Sequence, residues 1–300
     1  MSALSRANWQ IHFCVVLWGF TAILGKLISL GTLALVWWRM VLVTGALVLV
    51  PRFWRAVRAL PPRMIAIYAG IGLVVSLHWL AFYASVRLAN ASVAATCLAL
   101  SPVFLAFIEP FVSGRRFDMR ELLFGLAAIP GVALVVGGTP AGMRIGVFVG
   151  VVGALLVAVF ASLNKRFIGN SDTLAVTGLE IGAGLLLVTA ISAVHTADTV
   201  FVVPAARDMT LLIILALGCT LLPFALSLAA LRHVSAFSVT IATNMEPVYA
   251  IVMAIILLGE QRELSPSFYL GVAIVLAAVF LHPWLVRPVS PAIPPSAPLQ

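Results

Sequence analysis

Six titratable side chains sit inside long apolar stretches of this chain: Lys26, Arg39, His78, Glu109, Glu180 and Glu246. An ionisable group in hydrocarbon costs about 2.5–3.5 kcal/mol on insertion scales, which makes each one a functional candidate. Glu246 carries the most chemistry. It precedes Pro247, and a proline lacks the N–H that would bind the carbonyl one turn back, at Thr243, beside Asn244. A carboxylate, an amide and a freed carbonyl together suit an ammonium group or a proton. The competing reading is a hydrogen-bonded acid that locks helices together. No basic residue lies at i±3 or i±4 from Glu246, so a partner has to come from another segment, a substrate or a proton.

Other residues share such a site by spacing. Trp79, Phe82 and Tyr83 lie on one helix face, and His78 stacks over Phe82. That face suits a cavity wall, with His78 as a proton carrier or as a structural, hydrogen-bonded residue. Trp18 and Tyr249 extend the expected aromatic wall. Ser101-Pro102 repeats the helix break of Glu246-Pro247 without the acid, and Pro102 and Pro247 are read as gating breaks, against simple packing. Glu109 and Lys165 read either as an inner gate pair or as an interfacial acid and a snorkelling lysine. Lys26 is placed to do the mirror-image job at the outer side. Arg39 reads as a bidentate partner for a substrate carboxylate or, preferably, as a pin between helices. Glu180 is assigned no side.

The elements that position these residues follow from composition. The 300 residues are 63% hydrophobic and 9% charged, with mean hydropathy +1.16. A soluble domain carries about 25% charged residues, so the bilayer has to be the main solvent. Ten apolar runs stand out: 10–29, 33–50, 64–87, 92–113, 119–137, 145–165, 174–194, 209–231, 235–258 and 267–286. Runs of this length in hydrocarbon form helices, because a helix satisfies its own backbone. The first run is too long for a cleavable leader and is expected to remain as a span. The segment 287–300 is Pro-rich and is expected to be a disordered tail.

The two halves resemble each other at an offset of 145 residues. Ala84 falls on Ala229, Arg87 on Arg232, Ala91 on Ala236, Pro102 on Pro247 and Gly114 on Gly259. The chain is accordingly divided into an N-terminal segment 1–9, a five-helix repeat 10–137, a second repeat 145–286 and the tail. An odd number of spans per half inverts the second half, which gives one cavity two equivalent ways to open and points to transport. Basic residues set the orientation. With the N-terminus inside, Arg6, Arg52, Arg55, Arg58, Arg63, Arg115, Arg116, Arg120, Lys165, Arg166, Arg232 and Arg287 are cytoplasmic. Only Arg87, Arg144, Arg207 and Arg262 face outward. Both termini are therefore expected in the cytoplasm.

Several function classes are disfavoured. The net charge of +8 reads as loop charge, because no basic face is interleaved with exposed aromatics as nucleic-acid binding requires. Cys14, Cys97 and Cys219 fall in apolar runs without a Cys-x-x-Cys or Cys/His cluster, so neither a metal nor another cofactor is expected. An intramembrane enzyme would need a nucleophile or metal motif that is not found. A receptor or scaffold without transport would usually carry a soluble signalling module. Gly146-x-x-x-Gly150, Gly178-x-x-x-Gly182 and Gly184 permit close helix packing within one chain, and leave monomer and homodimer both open.

The opening Trp18-Gly-Phe-Thr-Ala-Ile-Leu-Gly-Lys26, the segment from Trp79 to Ser92, Ser101-Pro102, Glu109-Pro110, Glu246-Pro247 and Leu258-Gly259-Glu260 together resemble the EamA family of the drug/metabolite transporter superfamily. The likeness spans residues 10–285. It implies an all-α integral membrane protein of ten transmembrane helices, in two inverted five-helix repeats around a central cavity. It also implies alternating-access movement of a small metabolite, with an amino acid or derivative and export favoured. The Arg- and Ala-rich, Lys-poor composition suggests the inner membrane of a bacterium with a GC-rich genome. The topology is tested by cysteine substitution. A membrane-impermeant maleimide should label Ala141→Cys in intact cells and leave Ala56→Cys unlabelled until the cells are opened; equal labelling rates refute the orientation.

Overall fold

Apolar runs punctuated by Pro and Gly become helices whose ends fall at those residues. The computed structural model describes residues 3–114, 119–169, 171–195, 197–223, 226, 243 and 245–285. Asn244, the arginines 115, 116 and 232, and the tail lie outside them. Among the described residues the protein is all-helical. The elements are α1 (Ala3–Leu27), α2 (Thr32–Val48), α3 (Pro51–Arg58), α4 (Pro62–Leu88), α5 (Ala91–Leu98), α6 (Ser101–Ser113) and α7 (Met119–Gly138). The second half holds α8 (Arg144–Phe167), α9 (Thr173–His195), α10 (Ala197–Val200), α11 (Ala206–Ile213), α12 (Glu246–Met253) and α13 (Pro266–Leu285). Wide i→i+5 turns extend α11 through Leu221 and α12 through Leu258.

Among the described residues, five stretches are long and apolar enough to cross a membrane: Trp9–Leu27, Pro62–Leu88, Ala91–Val112, Ala141–Phe167 and Thr173–Val194. Helices α2 and α3 qualify as a pair but bend by 86°. Segment 51–63, expected as a simple loop, thus contains a helix laid across the end of the bundle. The reason is local. Pro51 opens the helix in its first turn, where the missing N–H costs nothing. Phe53 is buried against Gly178, while Arg52 reaches Asp172 with an N···O separation of 2.9 Å. The remaining apolar helices, Ile129–Gly138, Glu246–Leu258 and Pro266–Ala278, are shorter.

The internal similarity reappears in the backbone. Helices α6 and α12 begin 145 residues apart, each with proline in its first turn. Their helical stretches end on Gly114 and Gly259, with φ of 71° and 70°. That left-handed conformation is strained for any residue with a Cβ and closes a helix C-terminus.

Glycines set the spacing of the bundle. Gly131 and Gly271 face one another between α7 and α13, each within 3 Å of the other's carbonyl when given a Cβ. Gly146 and Gly150 let α8 approach α4 and α5 so closely that Ser85 donates to the Gly146 carbonyl at 2.8 Å. The tightest approach is between α4 and α9, where a Cβ at Gly72 would lie 2.1 Å from the Glu180 carbonyl oxygen. Gly45 has nothing within 4 Å. Gly72→Ala should therefore destabilise by about 1–3 kcal/mol through overpacking. Gly45→Ala should be neutral or stabilising by up to about 1 kcal/mol, the helix-propensity difference. Melting of both variants in detergent checks this; equal melting temperatures would contradict the close approach.

Candidate functional site: a charged central cavity

Two helix starts, each with proline in the first turn, face one space. At Ser101-Pro102 the helix stops at Leu98 and restarts, and the carbonyl that the proline leaves free, that of Leu98, accepts the Ser101 hydroxyl at 2.6 Å. At Glu246-Pro247 a new helix starts from the turn at Met245, with Tyr249 N–H donating to its carbonyl at 3.0 Å. Gly19 of α1 permits contact here, since its Cβ position lies 3.2 Å from the Glu246 carbonyl oxygen. Between the breaks is a cavity of about 460 Å³, within the roughly 300–1,000 Å³ typical of small-molecule sites. Its walls include Trp18 of α1, Arg39 of α2, His78 and Trp79 of α4, and both prolines. Helices α8 and α9 contribute Phe160, Asn164, Thr177 and Glu180, and Thr220 and Glu246 add further polar groups.

Arg39 is the best-anchored charge. It is 5% exposed, donates from Nε and Nη2 to the Thr220 hydroxyl at 3.1 and 2.9 Å, and from Nη1 to the Tyr83 hydroxyl at 2.8 Å. Its guanidinium carbon stands 3.8 Å from the centre of the Trp79 ring, a cation–π contact. Thr220 is presented by the wide turn of its helix, where its own hydroxyl donates to Leu215 O, five residues back, at 2.8 Å. His78 is held by an Nδ1–H bond to the Gly153 carbonyl at 2.9 Å, which fixes the tautomer because a carbonyl only accepts. Its ring packs 5.6 Å from Phe160. Glu246 forms no ion pair or hydrogen bond among the described residues, and its carboxyl interacts electrostatically with Arg39.

Trp18, His78, Pro102, Glu246 and Pro247 thus meet at one cavity. Tyr83 and Tyr249, expected on its wall, do not line it. Tyr83 stands behind Arg39 as its hydrogen-bond acceptor. Tyr249 turns toward α1, where its hydroxyl lies 3.3 Å from His12 Nδ1, because the helix face at 249 meets α1 beside Met245 and Trp18. Glu109 and Lys165 form an ion pair at one end of the bundle. Lys26 is half-buried at the other end and has no ion pair among the described residues. That end is tied instead by Asp208, which accepts from the Ser29 N–H at 3.1 Å and from the Ser29 hydroxyl, and by Arg87, which donates to the carbonyls of Ile28 and Leu30. Arg39 and Glu180 were underweighted in the sequence. Each is a lone charge deep in an apolar run, the same signal that singled out Glu246.

A bundle that is all-helical among the described residues, with membrane-length apolar helices around a cavity holding buried charges, is the architecture of an integral membrane protein. The model of the EamA-like transporter family matches residues 7–137 and again 144–286. The chain belongs to that family, whose members are drug/metabolite-type membrane transporters. One solved crystal structure is similar over 94% of this chain and 99% of its own, with a TM-score of 0.63 and 15% identity. At that identity the likeness shows a shared fold alone. No curated protein matches the chain.

The end-on ion pair makes a measurable prediction. The Lys165 side chain is 69% exposed, so the pair is worth no more than about 1 kcal/mol. Glu109→Gln or Lys165→Gln should shift the balance of conformers about two- to fivefold toward opening at this end. The double reversal Glu109→Lys/Lys165→Glu should restore part of it, read by accessibility of a cysteine placed on the cavity wall. Unchanged accessibility in both single variants would leave the pair without a gating role.

Proposed function

We propose that the protein is a secondary transporter that exports a small zwitterionic metabolite, an amino acid or derivative, across the bacterial inner membrane by alternating access. In this reading the chain forms ten spans as two inverted five-helix repeats, with both termini cytoplasmic. The observation that carries the substrate class is the presence of Arg39 and Glu246 on one cavity wall, a fixed cation and an acid without a hydrogen-bond partner among the described residues. A guanidinium held by Thr220 and Tyr83 keeps its fork geometry and suits a carboxylate. Glu246, next to a helix break, suits the ammonium group or a coupling proton.

Alternating access is supported by the two tied ends. Glu109 and Lys165 join α6 to α8 at the arginine-rich end, while Ser29, Arg87 and Asp208 join the α1–α2 turn to α4 and α11 at the other. A cavity between two separable ties opens to one side when one tie breaks. Pro102 and Pro247 place a flexible break in each of two equivalent helices beside the cavity, which is where a hinge would act.

The test is counterflow in proteoliposomes with a panel of labelled amino acids. The wild-type protein should exchange at least one of them. Glu246→Gln preserves size and much of the hydrogen bonding while removing the charge. It should fold normally, lower exchange at least tenfold and flatten its pH dependence. A well-folded Glu246→Gln protein with the wild-type rate and pH profile would sink the assignment of this residue.

A further inference from the structure

Among the described residues, two oxygens beside the cavity have no hydrogen-bond donor: Oε1 of Glu180 and Oδ1 of Asn164. Glu180 is 8% exposed. Its other oxygen receives one bond, from Asn164 Nδ2 at 3.4 Å, longer than a normal N–H···O bond. Both residues line the cavity, and so does Thr177, one helical turn before Glu180 on α9. Residues 157, 160 and 164 bring one face of α8 to the same space, with Phe160 between the others.

Buried polar groups in native proteins are partnered as a rule, and the two free atoms here are both acceptors. The cluster lacks donors and has acceptors to spare. The other charged and titratable groups that line the cavity are Arg39, His78, Cys219 and Glu246. None of them bonds to Glu180. Arg39 donates to Thr220 and Tyr83, and His78 donates to Gly153. Lys165, the neighbour of Asn164, pairs with Glu109 instead. A single carboxylate offers too little charge for a divalent cation, which gathers six or more oxygens. A primary ammonium carries three N–H donors and no acceptor. That matches one carboxylate oxygen, one amide oxygen and one hydroxyl, and the Phe160 ring adds an aromatic surface suited to a cation.

We infer that Glu180, Asn164 and Thr177 form an ammonium subsite on the α8–α9 side of the cavity, separate from Glu246. The inference rests on the cavity being the substrate site and adds to it a second station for the cationic end. Asn164 immediately precedes Lys165, so this station adjoins the end of the cavity that the Glu109–Lys165 pair ties. A cationic head that leaves Glu246 finds a second acid, Glu180, lining the same cavity.

The probe is 2-phenylethylammonium, titrated against purified protein in detergent. Binding is followed by tryptophan emission, to which Trp18 and Trp79 on the cavity wall contribute. The wild-type protein should respond saturably. Glu180→Gln should weaken the ammonium at least tenfold, and Asn164→Ala and Thr177→Val about threefold each. Binding of 3-phenylpropanoate, which lacks the ammonium, should not change in Glu180→Gln. Melting temperatures establish that each variant folds; if Glu180→Gln does not, Asn164→Ala and Thr177→Val carry the test. No saturable response in the wild-type protein, or wild-type ammonium affinity in the folded variants, overturns the subsite. Amino-acid counterflow is read separately. Exchange that persists while ammonium binding ignores Glu180 removes the subsite alone, and ammonium binding without any exchange removes the transport reading alone.

Discussion

A backbone polar group in hydrocarbon has no water to turn to, and the arrangement of this protein follows from how each one is answered. Unbroken helices answer their own. The informative places are the breaks. The carbonyl released before Pro102 is met by the hydroxyl of Ser101. The first N–H groups of α5 are met from far along the chain: the Glu260 carboxylate, 1% exposed, accepts from the N–H groups of Ala91 and Ser92 at 2.9 and 2.8 Å. Asn90 caps the same helix through Val93 and donates to Glu263 at 3.0 Å. A negative charge at a helix N-terminus also meets the positive end of the helix dipole. The turn after α12 thereby holds the start of α5, and the helix with one break is registered against the helix with the other.

Close packing does the rest of the positioning. Without a hydrophobic drive between helices in lipid, association depends on small residues that let backbones touch. Gly72 against the Glu180 backbone, Gly150 against Ser85 and Cys97, and Gly19 against the Glu246 carbonyl each bring a cavity-lining helix to its neighbour. The consequence is electrostatic. The cavity these helices enclose is lined by Arg39, Glu180 and Glu246. Arg39 is held by Thr220, Tyr83 and the Trp79 ring, while Glu246 and Oε1 of Glu180 have no hydrogen-bond partner among the described residues. A fixed cation and two underbonded acids lining one cavity form an arrangement that stability alone would not favour, since buried charges are costly when unpaired. Sites of this kind are retained where something else completes the bonding.

Much of the layout was legible in the residues. The 145-residue offset that aligned Pro102 with Pro247 and Gly114 with Gly259 marks two helices with the same start and the same left-handed end. Apolar run length predicted helices, and charge deep in a run pointed to Glu246. Glu109 and Lys165 were legible as residues at one end of their runs, with an ion pair and two separate interfacial roles both open; the packing of α6 against α8 decided for the pair. Close packing at Gly146 and Gly150 followed from their spacing of four.

What the sequence determined was therefore local or periodic: where helices begin and end, which residues share a face, and which charges need an answer. Tertiary structure decided who answers. Periodicity places Tyr83 and Tyr249 on helix faces but does not say which helix each face meets. One stands behind Arg39, while the other faces His12, 237 residues away. Arg39 became part of the cavity because Thr220, 181 residues away, met it on a wide turn. The α3 helix formed across the bundle end because Phe53 found the gap left by Gly178. Glu180 acquired its underbonded oxygen because α8 and α9 bring only Asn164 to it. In each case the deciding contact joins segments far apart in the chain, and its geometry depends on the packing of the whole bundle.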